Sequence, residues 1–317
     1  MRKIFGLVVA ALFLALPARA AEGLFSIDVG LADITINKIP YLMASDYGLY
    51  EKNGLTVRQF ISPTAAELAR QSGVDVPPEL IQDDDSNTPI VTGGGSPNIY
   101  LAVYEGAPDR VILASLESVL RSQIIARPEF ATLEDLRGAR FGYSALGRAN
   151  HIGALSFARA VGWNPDTDIA LVEGASTIAA LTEGRADATV AGGVPVAMAP
   201  EAGLNVVLDL EQFDIPFAGS GINVERSWLN ANRDAASRFV RSTVEAIALL
   251  KQDRAAFDAT VAKWLNITDE AVLNNMYAEA LEFPAKPYPA VDGVRTITEI
   301  YDTSEMRTHA VEDFYDL

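Results

Sequence analysis

The sequence contains no cysteine and only two histidines, His151 and His309. The first absence excludes disulfide scaffolds, cysteine nucleophiles, zinc–thiolate sites and cysteine-ligated iron–sulfur clusters. The second leaves no histidine-rich metal site, so no metal and no cofactor is expected. Basic residues are scarce beside acidic ones, 25 Lys and Arg against 42 Asp and Glu, and the formal charge is −17. Neutralising phosphates needs a basic face, so nucleic acid is excluded as a partner. Long apolar runs are absent except for one at the N-terminus. What is present is a chain of 317 residues, 49% hydrophobic and 21% charged. That is too apolar for disorder and long enough for one large domain or two ordinary ones.

The N-terminal run explains itself. Arg2 and Lys3 precede an apolar stretch from Ile4 to Leu16, followed by Pro17 and Ala18-Arg19-Ala20. A basic start, a short apolar core and small residues at alternate positions describe a cleaved secretory signal over residues 1–20, too short for a comfortable membrane span. Cutting after Ala20 removes Arg2, Lys3 and Arg19 and takes the net charge from −17 to −20. The expectation is a free periplasmic protein without a lipid anchor, and a monomer.

Beyond the signal the pattern alternates between strands and helices. Strands are expected at Phe25–Leu31, Leu55–Ile61, Ile90–Thr92, Val111–Ala114, Arg140–Tyr143, Ile169–Val172, Ala188–Ala191 and Val206–Leu208. Helices are expected over Tyr41–Tyr50, Ile99–Tyr104, Arg148–Val161 and Thr177–Glu183. From Asp234 the periodicity turns helical, over Ala235–Asp253, Arg254–Leu265, Asp269–Glu282 and finally Ile297–Phe314. This βαβα order predicts an α/β fold with largely parallel sheets. Thr64–Asn87 breaks the rhythm: it offers a short helix at Ala65–Gln71, then Pro77-Pro78 and the acid run Asp83-Asp84-Asp85. That run lacks the spaced oxygen ligands and closing Glu of a calcium loop and reads as a solvated turn.

Four phrases, in order, resemble solute-binding proteins of ABC transporters of the nitrate/sulfonate/taurine type, relatives of the thiamine-pyrimidine-precursor binding proteins. They are Tyr41 to Val57 (YLMASDYGLYEKNGLTV), Gly94-Gly95-Ser96-Pro97, Leu133-Glu134-Asp135-Leu136-Arg137-Gly138, and Ala180 to Ala188 (ALTEGRADA). The departure is Thr64–Asn87, longer than the family's usual link. The resemblance implies a type II periplasmic-binding-protein clamshell with a ligand cleft between two lobes. Lobe one would combine 24–117 with 222–317, and lobe two would be 118–221. The chain would cross outward near Arg121–Ala126 and return near Ala218–Val224. The implied function is capture of a small organic anion and its delivery to permease subunits driven by an ATPase. A binding module that reports to a sensor is the alternative. An enzyme on the same fold is a further one, although the synthase branch of the family carries a cysteine-rich motif that this chain lacks. Neither histidine lies in a G-x-S-x-G or similar setting for hydrolysis.

The cleft chemistry expected from these residues is polar capture. After the first strand come Asp33, Thr35 and Asn37, where the family places ligand contacts; Asp33 suits a ligand amine or a structural salt bridge. Gly94, Gly95, Ser96 and Asn98 follow the third strand, with glycines that let backbone N–H groups approach an anion and a serine that can cap a helix. In lobe two, Ser144, Arg148 and His151 span a strand end and helix start. A cation at a helix N-terminus is disfavoured unless an anion joins it, and a guanidinium suits a carboxylate or sulfonate. A surface ion pair is the other reading of Arg148, and a half-buried partner that of His151. Ser176 either caps the next helix with Thr177 or faces ligand, and Gly193 repeats the strand–glycine–helix pattern.

Overall fold

The computed structural model describes residues 23–71, 74–83 and 88–317. The signal expected at 1–20, and Asp84 and Asp85 of the acid run, lie outside the described residues. The first sheet holds β1 (Phe25–Leu31), β2 (Leu55–Ile61), β3 (Ile90–Gly94), β4 (Arg110–Ser115) and β10 (Ser220–Glu225), in the order β2-β1-β3-β10-β4. The second holds β5 (Gln123–Ala126), β6 (Arg140–Tyr143), β7 (Ala170–Glu173), β8 (Ala188–Ala191) and β9 (Asn205–Asp209), in the order β7-β6-β8-β5-β9. The two orders match. Strand β1 runs parallel to β2 and β3, and β6 runs parallel to β7 and β8. The strand that enters after each crossing, β10 or β5, runs antiparallel to both neighbours. The result is two α/β units of like topology, the two-lobed architecture that the resemblance implies.

Among the described residues twelve helices cover the sheets: α1 (Ile39–Asp46), α2 (Leu49–Lys52), α3 (Pro63–Gln71), α4 (Gly95–Tyr104), α5 (Ala149–Ala160), α6 (Ile178–Thr182), α7 (Val194–Met198), α8 (Arg226–Ala231), α9 (Arg233–Gln252), α10 (Arg254–Leu265), α11 (Glu270–Leu281) and α12 (Val291–Ile300). The single helix expected at Tyr41–Tyr50 is two, because Gly48 takes φ of 64° and starts α2. Helix α4 begins at Gly95, four residues before the expected start. The last helix is also displaced. It occupies Val291–Ile300, and beyond it Asp302 and Thr303 bind Arg307 and the Met306 amide, so the chain continues only as short turns. Such side-chain bonds compete with helical ones.

The crossings also lie elsewhere than expected. Arg121–Ala126 is mostly β5, and Ala218–Val224 is mostly β10. The chain passes between sheets just before each, and the two passages pair as an antiparallel ribbon. Leu116 N–H donates to Ser220 O (2.7 Å), Gly219 N–H to Glu117 O (3.2 Å), Phe217 N–H to Ser118 O (3.0 Å) and Leu120 N–H to Ile215 O (2.9 Å). Helix α12 is pressed onto this ribbon at Gly293. A Cβ there would lie 2.1 Å from Ala218 N and 2.2 Å from Phe217 C, backbone atoms that cannot swing aside. Gly293→Ala is therefore expected to lower unfolding stability by at least the ~1–3 kcal/mol typical of overpacking. Denaturant titration giving wild-type stability would show that α12 can move off the ribbon freely.

Candidate functional site

All twelve expected site residues fall at the C-terminal ends of parallel strands, where open α/β sheets bind ligands. Asp33, Thr35 and Asn37 follow β1, Gly94 ends β3 and Gly95 to Asn98 follow it, Ser144 to His151 follow β6, Ser176 follows β7 and Gly193 follows β8. The two edges approach one another. The absent side chain of Gly147, after β6, leaves room for the ring of Tyr100 on α4; a Cβ would meet it at 2.0 Å. Val194, at the start of α7, packs against the apolar core of the first sheet.

The glycine segment works differently from the expectation. Gly95 N–H donates to Gly219 O (3.0 Å) and Ser96 N–H to Ala218 O (2.9 Å), while Gly94 pairs with Ser220 in the β3–β10 ladder. Pro97 has no N–H. Gly95 and Ser96 thus offer an anion no free amide, which corrects their expected role as backbone donors, whereas Gly94 stands in a ladder pair that exchanges no backbone hydrogen bond and Ser220 does not take up its N–H. Close packing explains the glycine: a Cβ on Gly95 would meet Ile112 Cδ1 at 2.5 Å. Ser96 does not cap the helix; Gly94 is the N-cap, and among the described residues the buried Ser96 Oγ has no partner, nor has Asn98 Nδ2.

Helix α5 presents the opposite case. Its N-cap is Arg148, whose exposed guanidinium has no hydrogen bond or ion pair among the described residues. The first intrahelical bond runs from Ile152 N–H to Arg148 O (3.0 Å), and the amides of Ala149, Asn150 and His151 find no acceptor among the described residues. Three free donors and an unpaired cation at one helix end form a local positive site on a strongly negative protein. Ser144 Oγ and N–H both donate to Asn150 Oδ1, at 3.1 and 3.2 Å, fixing the loop before it. His151 is buried and engaged. Its Nδ1 accepts from Gly147 N–H (3.2 Å) and lies 2.7 Å from Tyr301 Oη, so Nε2 carries the proton. Burial pushes its pKa down to about 4. It braces the loop rather than offering a free base. Thr177 caps α6 through its Oγ1 (3.1 Å from Ala180 N), leaving the half-buried Ser176 beside it. Gly193, exposed with φ of 63°, is the N-cap of the short α7.

At the first sheet's edge several working residues had no sequence signal strong enough to single them out. Lys38, fully buried, donates to Asp33 Oδ2 and Ser220 Oγ, both at 3.0 Å. Asp33 also accepts from Thr35 Oγ1 (2.8 Å), so its structural salt bridge is the reading realised here. Asn37 Nδ2 donates to Glu117 Oε1 (3.0 Å), and Ser220 N–H donates to Glu117 Oε2 (3.2 Å). Glu279 lies on α11, which packs against the Ile36–Lys38 turn. Burial first, and then the charge of Glu117, push its pKa up to about 7, with Arg121 opposing. A lone lysine within the apolar INKIPYLM stretch was the available clue to Lys38. Glu117 and Glu279 are two acids among 42 and carried none.

The family model described as NMT1/THI5 like matches residues 35–255. Among solved structures the chain is similar to the periplasmic aliphatic sulphonate binding protein SsuA from Escherichia coli, with TM-score 0.66 and 18% identity over 92% of this chain and 99% of that one. It is also similar to the periplasmic nitrate-binding protein NrtA from Synechocystis PCC 6803, with TM-score 0.64 and 12% identity over 92% and 86% of the two chains. The desulfurization enzyme DSZB is a further similar structure, with TM-score 0.58 and 14% identity over 92% and 96%. At such identities these likenesses establish the fold. No curated protein matches the chain in sequence.

Proposed function

The chain belongs to the NMT1/THI5-like family, and from that premise we propose that it is the solute-binding component of an ABC-type importer. It captures a small organic anion between its lobes and hands it to permease subunits coupled to an ATPase. The lobes comprise 24–117 with 222–317, and 118–221. The protein acts as a monomer in the periplasm after cleavage behind Ala20.

The observation that carries this reading is the start of α5. Arg148 and three free amides lie together at the start of α5, just beyond the C-terminal end of β6, with no acceptor among the described residues. A carboxylate or sulfonate supplies what they lack. Long-range electrostatics oppose the choice, since a strongly negative chain repels anions, but screening confines that repulsion to about 8 Å at physiological salt. The Arg148 guanidinium and the helix end act inside that range. The single ribbon joining the lobes gives the closure a hinge: a ligand touching both edges favours the closed state by its extra contacts there.

Small-angle scattering against a panel of sulfonates and carboxylates tests this. A compound that raises the melting temperature is expected to reduce the radius of gyration as well. Stabilisation at saturation without compaction would place the ligand outside the cleft and overturn the reading.

A further inference from the structure

A cavity of about 400 Å³ opens beside β4, α8, α9 and the segment after α11, and none of its lining residues belongs to the candidate cleft. Small-molecule sites have volumes of ~300–1,000 Å³. Leu113 of β4, Leu229 of α8 and Ala236, Val240 and Val244 of α9 give it an aliphatic floor. Positions 236, 240 and 244 recur at the spacing that stacks side chains on one helix face. The walls are pinned. Ser115 N–H donates to Tyr288 O (3.3 Å) and Ala290 N–H to Ser115 Oγ (3.1 Å), which holds the segment after α11 against β4. Asp316 accepts from Arg233 Nη1 and Nη2, at 3.0 and 2.7 Å, and its own N–H donates to Ile112 O (3.1 Å). The cavity is therefore built into the fold.

Two features make it more than a gap in the packing. Tyr288 and Leu317, 68% and 85% exposed, are the most exposed large hydrophobic residues among the described residues, and both line this cavity. Clustered apolar exposure marks a binding site, whereas single scattered cases do not. The second feature is charge. Lys286, an exposed lining residue, has no hydrogen bond or ion pair for its ammonium among the described residues, while Arg233 is answered by Asp316. An uncommitted cation beside an aliphatic floor complements a molecule with one acidic head and an alkyl chain. A simple inorganic anion would leave the floor wet, and a neutral apolar segment would leave Lys286 unanswered.

We infer that this cavity binds a free alkyl carboxylate, its chain on the α9 floor and its head at Lys286. The site is separate from solute capture in the cleft, and neither reading depends on the other. Burial of the chain supplies the affinity, and the exposed ion pair selects the acid over a neutral analogue.

Calorimetry with hexanoate, octanoate and decanoate, and with decanol as the neutral probe, tests this on wild type, Val240→Trp, Lys286→Gln and Arg148→Ala. Wild type is expected to bind decanoate, with affinity rising about fourfold per methylene along the series. Val240→Trp fills the floor and is expected to weaken decanoate about tenfold or more. Lys286→Gln changes an exposed side chain that supports no other group, so it should fold normally. It is expected to weaken decanoate roughly two- to fivefold and to leave decanol unchanged. Arg148→Ala is expected to retain decanoate binding. Failure of wild type to bind decanoate, or affinity independent of chain length, overturns the inference. So does binding that survives in Val240→Trp but is lost in Arg148→Ala, which would put the carboxylate in the cleft. Should Val240→Trp fail to fold, an unchanged decanoate affinity in Lys286→Gln overturns the assignment by itself.

Discussion

Asp33→Ala is expected to cost about 3–5 kcal/mol of folding stability, far more than loss of a surface ion pair. The asymmetry of the pair is the reason. Lys38 is fully buried, whereas the Asp33 side chain is 45% exposed. Removing the carboxylate strands an ammonium in the interior with Ser220 Oγ as its only remaining hydrogen-bond partner among the described residues. Removing the ammonium instead leaves a carboxylate that water and Thr35 can serve, so Lys38→Met is expected to cost no more than about 2 kcal/mol. The double variant Asp33→Ala/Lys38→Met should recover most of the loss, because no buried charge is left uncompensated. Urea titration of the four proteins gives the coupling directly. If Asp33→Ala proved as mild as Lys38→Met, the lysine would be finding water or another acid, and the pair would not hold the turn after β1. The double variant also serves function. Reduced ligand affinity in Asp33→Ala alone would be ambiguous, but affinity retained in the stable double variant would identify Asp33 as structural.

Strands and architecture were largely legible in the sequence because their signal is local. Leu55–Ile61, Arg140–Tyr143 and Ala188–Ala191 are bounded by turn residues and lie where their composition puts them. The crossings were misplaced because an extended apolar segment reads alike in a ribbon and in a strand. Only pairing distinguishes Leu116–Leu120 from Gln123–Ala126, and pairing is not local. Gly95 illustrates a second limit. An absent side chain can make room for a ligand or for a neighbour, and the neighbour here, Ile112, comes from another strand. The candidate site was legible in the same measure. Arg148 stood out because a cation at a helix start contradicts the dipole, which is a local conflict. Glu117 acquires meaning only from the partners it meets across the fold, Asn37 and Ser220.

Arg148→Ala is expected to weaken the binding of a cleft-bound organic anion by about 2–5 kcal/mol, a thirtyfold to several-thousandfold loss. The ligand-free melting temperature should hardly change. Both halves follow from the same facts. The guanidinium is exposed and makes no hydrogen bond or ion pair among the described residues, and the residue serves as N-cap of α5 without its side chain. Deleting it from the empty protein therefore breaks nothing. In the closed complex it would face an acid group between two lobes that exclude water, where a charge-assisted pair is strong and an unpaired anion costly. Calorimetry with the tightest-binding sulfonate or carboxylate, alongside thermal melts of both proteins without ligand, separates the two effects. Arg148→Lys refines the result. The charge survives but the planar fork is lost, so an intermediate affinity indicates paired hydrogen bonds and a wild-type affinity indicates charge alone. Unchanged binding in Arg148→Ala would make this arginine a surface residue. The free amides of Ala149, Asn150 and His151 would then have to hold the anion by themselves, or the acid end of the solute would lie elsewhere in the cleft.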